Sequence, residues 1–127
     1  VLTTLGTGIG TAVINKGVLV PNVELGHIEI NGADCEPSTA ASAREREGLT
    51  FEQWAPRLQE YYSRLEFYLW PDLIVVGGGV SKNSDKFLPL LKLNTPIVPA
   101  ELRNAAGIVG AAWLAADRLK HPDVLKT

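Results

Sequence analysis

Leu73-Ile-Val-Val76 runs without a polar residue straight into Gly77-Gly-Gly79, and that junction restricts the fold more than any other stretch. A short, continuous, β-branched run predicts a strand buried on both faces, as in a parallel sheet. Such strands need helices to cover them. Ligands collect at their carboxyl ends, where glycine lets a loop come close. The segment upstream supplies a helix. Thr50-Phe-Glu-Gln53 has the form of a capping box, and Phe51, Trp54, Leu58, Tyr61, Leu65 and Leu69 recur at helical spacing. Pro56 removes a backbone donor inside that pattern and predicts a kink or a later start, and Pro71-Asp72 ends the helix. An α/β domain is predicted.

The remaining segments fit around this unit. Val1 to Leu5 is a β-type run ending at glycine. Gly10 to Ile14 and Gly17 to Val20 read as a hairpin with Asn15-Lys16-Gly17 as its turn. His27 to Ile30 alternates like a strand closed by Asn31-Gly32. Ser38 to Glu47 predicts a short exposed helix stopped by Gly48. Lys86 to Lys92 predicts another short helix, Thr95 to Val98 another strand, and Ala105 to Leu119 a closing helix.

At 127 residues, 46% hydrophobic and 20% charged, the chain has the mixture of one globular domain. Twelve Lys and Arg against fourteen Asp and Glu give a net charge of -2 and a pI near 5.7. A phosphate-backbone binder carries a basic surplus, so nucleic acid is disfavoured as a partner. No uncharged apolar run approaches the roughly 20 residues that span a bilayer, and no signal peptide opens the chain. A cytoplasmic protein with no membrane partner is expected. The lone Cys35 excludes an internal disulfide and a multi-thiolate zinc site, and fits a reducing compartment. The chain enters a strand at Val1, which reads as a boundary inside a larger protein.

Three segments carry candidate chemistry. Leu5-Gly-Thr-Gly-Ile-Gly10 looks like a dinucleotide fingerprint, but that pattern needs a helix after its glycines, and Thr11-Ala-Val-Ile14 continues as a strand. A glycine turn between strands can still take an anion. Without β-carbons, successive amides converge on it, and Thr7 and Thr11 add hydroxyls. A tight hairpin using glycine for positive φ accounts for the same letters. Gly77, Gly78 and Gly79 exceed what a simple turn needs; access for a ligand and close helix–strand packing both fit them. Lys82 and Lys86 follow, and on a helix they would share one face, turned either to an anionic ligand or to solvent. Glu24-Leu-Gly-His27 sets a carboxylate and an imidazole around a glycine, suited to a polyhydroxylated ligand. A structural or simply exposed histidine is the plainer account. Cys35 and Glu36 do not complete a tetrahedral set, so no metal site is assigned.

In order, these segments resemble the ROK family of sugar kinases and repressors, and within it the bacterial polyphosphate-using glucokinases. The matching text is Leu5-Gly-Thr-Gly-Ile-Gly-Thr-Ala12, Leu19-Val-Pro-Asn22, Glu24-Leu-Gly-His27, Ala43-Arg-Glu-Arg-Glu47 and Trp54-Ala55. It continues with Pro71 to Lys82, Lys86-Phe-Leu-Pro89, Thr95-Pro96, Val98-Pro-Ala100 and Asn104 to Ala112.

The resemblance implies the actin-like ATPase (ribonuclease H-like) fold, with two α/β lobes closing over a cleft and residues 1–127 forming the second, carboxyl-terminal lobe. It implies phosphoryl transfer from polyphosphate, and from ATP, to the 6-hydroxyl of glucose. By residue, Gly6, Thr7, Gly8 and Gly10 match the second phosphate loop. Gly77, Gly78 and Gly79 match the turn facing the nucleoside or distal phosphates, with Lys82 and Lys86 beside it. Glu24 and His27 match the family's sugar-gripping Glu-x-Gly-His, and Glu36 stands for a further sugar-binding glutamate. A side chain at Gly8 is expected to stop transfer and spare sugar binding. The catalytic aspartate and the first phosphate loop belong to the other lobe, as do the ligands of the Mg2+ that accompanies the donor. This lobe alone is expected to be inactive, and the full-length protein to be a homodimer. Most members carry a cysteine-rich zinc loop after the histidine, whereas Cys35 alone implies a zinc-free site. An ATP-only sugar kinase and a sugar-sensing repressor share the pattern as alternatives.

Overall fold

In the computed structural model, which describes residues 1–101, the aliphatic run becomes strand β6, Ile74–Gly77. Its neighbours on both sides are parallel: β1 (Leu2–Leu5) and β7 (Ile97–Pro99). Strand β1 turns back into β2 (Ile9–Asn15) and β2 into β3 (Val18–Val20), both antiparallel. The sheet order is β3-β2-β1-β6-β7. A central strand has every ladder bond made and both faces covered, which is why Ile74 and Val76 are fully buried. The register sets Thr4 opposite Gly77, so the glycine turns after β1 and β6 leave the same edge of the sheet.

The capping box forms. Thr50 Oγ1 accepts the Gln53 amide at 3.2 Å, and the Gln53 side chain accepts the Thr50 amide at 2.9 Å. Helix α3 then runs Phe51–Leu69 through Pro56. The proline does not delay the start. The carbonyl it leaves without a donor belongs to Glu52, on the exposed first turn where water can take it. Trp54, Leu58, Tyr61, Tyr62 and Leu65 have no exposed surface and pack with Leu5, Ile9, Ile74, Val76 and Phe87. Each such side chain contributes roughly 1.5–3 kcal/mol by burial. The polar groups in this core are satisfied: Tyr62 bonds Thr3 at 2.8 Å, and Trp54 Nε1 donates to the Thr39 carbonyl at 2.9 Å. Leu69 departs from the periodic reading, being 37% exposed. The buried face ends instead at Glu66, which accepts the Thr95 amide and so holds the approach to β7.

Four other expectations change. Only Glu29–Ile30 of the expected strand from His27 to Ile30 pairs as a strand (β4). His27 itself ends a 3-10 turn, Leu25–His27. Asn31 (φ 54) and Gly32 (φ 79) then return the chain into β5, Ala33–Asp34. The single exposed helix from Ser38 to Glu47 is two pieces, α1 (Glu36–Thr39) and α2 (Ala41–Arg46), broken where Ala40 is extended (ψ 158). Ala40, Ala41 and Ala43 face inward, buried, with Ala40 and Ala41 in the same core as Trp54. The helix expected over Lys86 to Lys92 is replaced by 3-10 stretches at Gly79–Lys86 and Leu88–Leu90. Asn83 leaves helical backbone (φ -108) in the first, and Pro89 lacks an amide in the second. The last strand lies slightly later than Thr95 to Val98. The closing helix expected from Ala105 to Leu119 falls outside the described residues.

Candidate functional site

The Leu25–His27 turn is pinned from three sides. The Leu25 amide donates to Thr11 Oγ1 at 3.0 Å, the Tyr61 hydroxyl to the Leu25 carbonyl at 3.2 Å, and the Cys35 thiol to the Gly26 carbonyl at 3.2 Å. Gly26 lies so close to Ile9 that a β-carbon would run into the Ile9 carbonyl. The Thr11 hydroxyl, a candidate anion donor in sequence, is thus a brace for this turn.

Beyond the turn, the β4–β5 hairpin pairs Glu29 with Asp34 and brings the Cys35 amide to the Ile28 carbonyl at 3.1 Å. The same register sets His27 across from Glu36. His27 Nδ1 lies 2.8 Å from Asp34 Oδ2, and Nε2 lies 3.8 Å from Glu36 Oε2. The other Asp34 oxygen accepts the Glu36 amide at 2.9 Å, and Glu36 Oε2 accepts the Ile9 amide at 2.9 Å. The Asp34 hydrogen bond, then the charges of Asp34 and Glu36, hold the His27 pKa above its ordinary value. The Glu36 amide, then His27, hold Asp34 below the usual carboxylate range. Glu24 is exposed just ahead of the turn, and its charge is the weakest influence on His27. Sequence reasoning missed Asp34. The signal was the two-residue Asn31-Gly32 turn, which fixes the register opposite His27.

Gly6-Thr7-Gly8 joins β1 to β2 as the glycine turn between strands read from sequence. Ser42 of α2 clamps it: the Ser42 amide donates to the Gly6 carbonyl at 3.0 Å, and its hydroxyl to the Thr7 carbonyl at 2.6 Å. The Gly6 amide donates to the Gly8 carbonyl at 3.0 Å. The Gly6 amide is therefore taken within the loop itself. Among the described residues, no acceptor takes the amides of Thr7 or Gly8. No glycine of this loop has positive φ. Gly8 matters for proximity instead, since a β-carbon there would lie 2.5 Å from Glu36 Oε2 and would displace that carboxylate. Gly10 stands past the loop, in β2 opposite Thr4.

The other flank of the loop opens on a cleft of about 270 Å³, lined by Gly6, Thr7, Ser42, Arg44, Gly79 and Lys82, among others. The two glycine turns thus meet in one cavity. Of the triple glycine, Gly78 carries the backbone demand: its φ is 86, and a β-carbon would strike the Leu5 backbone. Gly77 makes ordinary contacts, and Gly79 has open space around it. Lys82 and Lys86 do not share a face, because the 3-10 stretch breaks at Asn83. Lys82 lines the cleft, whereas Lys86 Nζ stands 5.7 Å from the centre of the Phe51 ring. Arg44, another cleft cation, lies with Cζ 4.3 Å from the same ring and donates to the Leu49 carbonyl. Sequence reasoning had it only as a letter in Ala43-Arg-Glu-Arg-Glu47. Among the described residues, no group of three His, Cys, Asp or Glu side chains could hold a metal ion.

No family model matches the chain. Polyphosphate glucokinase of Mycobacterium tuberculosis is 46% identical over 121 residues, which is 95% of this chain and 46% of that protein. The crystal structure of an inorganic polyphosphate/ATP-glucomannokinase from Arthrobacter sp. strain KM superposes with a TM-score of 0.89 at 57% identity, covering 94% of this chain and 47% of that one. A ROK family glucokinase from Streptomyces griseus, solved with glucose and AMPPNP, shares the fold at a TM-score of 0.72 and 20% identity, covering 91% of this chain and 60% of that one. The chain spans about half the length of the curated relatives it matches. On this identity and this superposition, the chain is similar to polyphosphate glucokinase along most of its length and shares the actin-like ATPase fold of the ROK sugar kinases.

Proposed function

We propose that the full-length protein transfers a phosphoryl group from inorganic polyphosphate, and from ATP, to the 6-hydroxyl of glucose, and that residues 1–127 form its carboxyl-terminal lobe. One observation carries this reading. The Gly6–Gly8 loop has the His27–Glu36–Asp34 cluster against Gly8 on one flank and the Lys82 cleft against Gly6 and Thr7 on the other. A transferring phosphoryl group needs that arrangement, with an acceptor site and a donor site meeting at backbone donors. The names of the relatives support the donor and the sugar. The glucomannokinase adds mannose, which we propose as a second acceptor.

In this mechanism His27 and Glu36 hold sugar hydroxyls and fix the acceptor in line, an orientation effect. Glu24 adds a carboxylate at the mouth. The Thr7 and Gly8 amides face the phosphoryl group where its charge is greatest, and Lys82 holds the donor further out. Gly77 to Gly79 keep that side free of side chains. The catalytic aspartate is assigned to the other lobe. Mg2+, which neutralises donor charge when bound, is assigned to the donor phosphates and that lobe, since the described residues offer no metal cluster. We further propose a homodimer in the cytoplasm; no helix among the described residues is long and apolar enough to cross a membrane.

The test is expression of the complete reading frame, with glucose and mannose phosphorylation measured in parallel for polyphosphate and ATP. Transfer from ATP alone would make the protein an ATP-only kinase. Sugar binding with no transfer from either donor would favour the repressor class.

A further inference from the structure

We propose that Asp34 is a positioning residue for sugar binding: it accepts a hydrogen bond from Nδ1–H of His27, so that Nε2 is the nitrogen offered to a sugar hydroxyl together with Glu36. This rests on the sugar-binding reading above, to which it adds a residue that neither motif nor charge pattern had marked.

The geometry argues it in three steps. Asp34 uses both oxygens, one on His27 Nδ1 at 2.8 Å and one on the Glu36 amide at 2.9 Å. One carboxylate therefore sets the imidazole ring and the start of the segment that carries the Glu36 carboxylate. Next, a neutral imidazole has one N–H and one lone pair, and the partner of one nitrogen decides the role of the other. With Asp34 on Nδ1, the neutral ring leaves Nε2 as an acceptor; when protonated, Nε2 becomes a donor. Last, Nε2 and Glu36 Oε2 are 3.8 Å apart, too far for a hydrogen bond. With the ring protonated, a hydroxyl oxygen at about 2.8 Å from each spans that gap, accepting from Nε2–H and donating to Glu36 Oε2. The His27 and Asp34 side chains are 51% and 45% exposed. An ion pair that open contributes little to stability, so orientation is what the pair supplies. The charged groups acting on His27 are Asp34, Glu36 and Glu24, and all three favour the protonated ring.

The test uses the full-length protein with 15N-labelled histidine. The His27 ring in the wild type should show the Nδ1–H form when neutral, and a pKa above the ordinary histidine value. Asp34→Asn keeps an oxygen for the Glu36 amide but removes the charge. It should bring the His27 pKa down toward about 6.5 and raise the KM for glucose about tenfold, leaving the KM for the phosphate donor unchanged. An Nε2–H tautomer in the wild type overturns the assignment without any variant. So does an Asp34→Asn protein with the wild-type His27 pKa and glucose KM. If no sugar is phosphorylated or bound by the wild type, the kinase reading fails at that step. The NMR arm then still decides whether Asp34 sets the imidazole, so the two failures are distinct.

Discussion

The two glycine turns at the carboxyl edge of the sheet look alike in sequence and use glycine for opposite reasons. In the turn after β1, no residue has positive φ; Gly8 is small because a protein carboxylate, Glu36, lies against it. In the turn after β6, Gly78 is held at φ 86 with the Leu5 backbone where its β-carbon would be. The first turn is shaped by what it must touch, the second by how it must bend. Gly6 and Gly79 serve neither need and leave space on the cleft between the turns. A change at one turn should therefore be read in binding, and a change at the other in stability.

The largest effect should come from Gly78→Ala, which strains the backbone and overlaps β1. We expect a loss of about 3–5 kcal/mol in denaturant unfolding of the full-length protein. A variant of wild-type stability would remove the contrast between the turns. Next comes Gly8→Ala. Its methyl displaces Glu36 from the Ile9 amide and from His27, so the KM for glucose should rise about tenfold at a stability cost near 1 kcal/mol. This reverses the expectation from sequence, in which a side chain at Gly8 spares sugar binding. Unchanged glucose binding with lost donor use would restore it.

A smaller effect distinguishes the lysines. Lys82→Gln should weaken polyphosphate use about threefold more than ATP use, with the difference closing at high salt. Lys86→Gln should leave the donor ratio unchanged, because that ammonium lies over Phe51. Donor kinetics at two ionic strengths check both, and equal behaviour of the two lysines would count against the cleft.

The smallest effect is a pH term. The His27 pKa is raised in the folded protein, so its contribution is complete below about 6.5, the unfolded value, and is lost as pH rises through the folded one. The Asp34 pKa is lowered, so its contribution holds above the unfolded carboxylate value and is lost as pH falls through the folded one. Both are in full only in the mildly acid range between. Unfolding midpoints of wild type and Asp34→Asn should differ most there, and the difference should narrow as pH rises past the His27 titration to the part that the Glu36 amide supplies.

Much of this was legible in the sequence wherever one local rule decided the outcome. The capping box placed the start of α3, the uninterrupted β-branched run placed β6, and Asn31-Gly32 placed a turn. Where two parts of the chain had to meet, local rules fell short. The Lys82–Lys86 spacing implies one face only on an α-helix, and Asn83 breaks the backbone between them. The alanines of Ser38 to Glu47 signal helix propensity but not that Ala40, Ala41 and Ala43 are buried. Asp34 acts through a pairing across a hairpin, and the need for Gly8 comes from a carboxylate far along the chain. Propensity carries no record of either contact.

The lone thiol has a consequence in time as well as in space. Cys35 is 2% exposed, is bonded to the Gly26 carbonyl, and has its pKa pushed up to about 11 by burial. Only a thiolate alkylates quickly, so the closed protein should resist an electrophile such as iodoacetamide. Labelling then waits for the Glu24–His27 segment to lift off β2. The chain carries a single-atom stopwatch on its Leu25–His27 turn, and a ligand that ties His27 down should slow it.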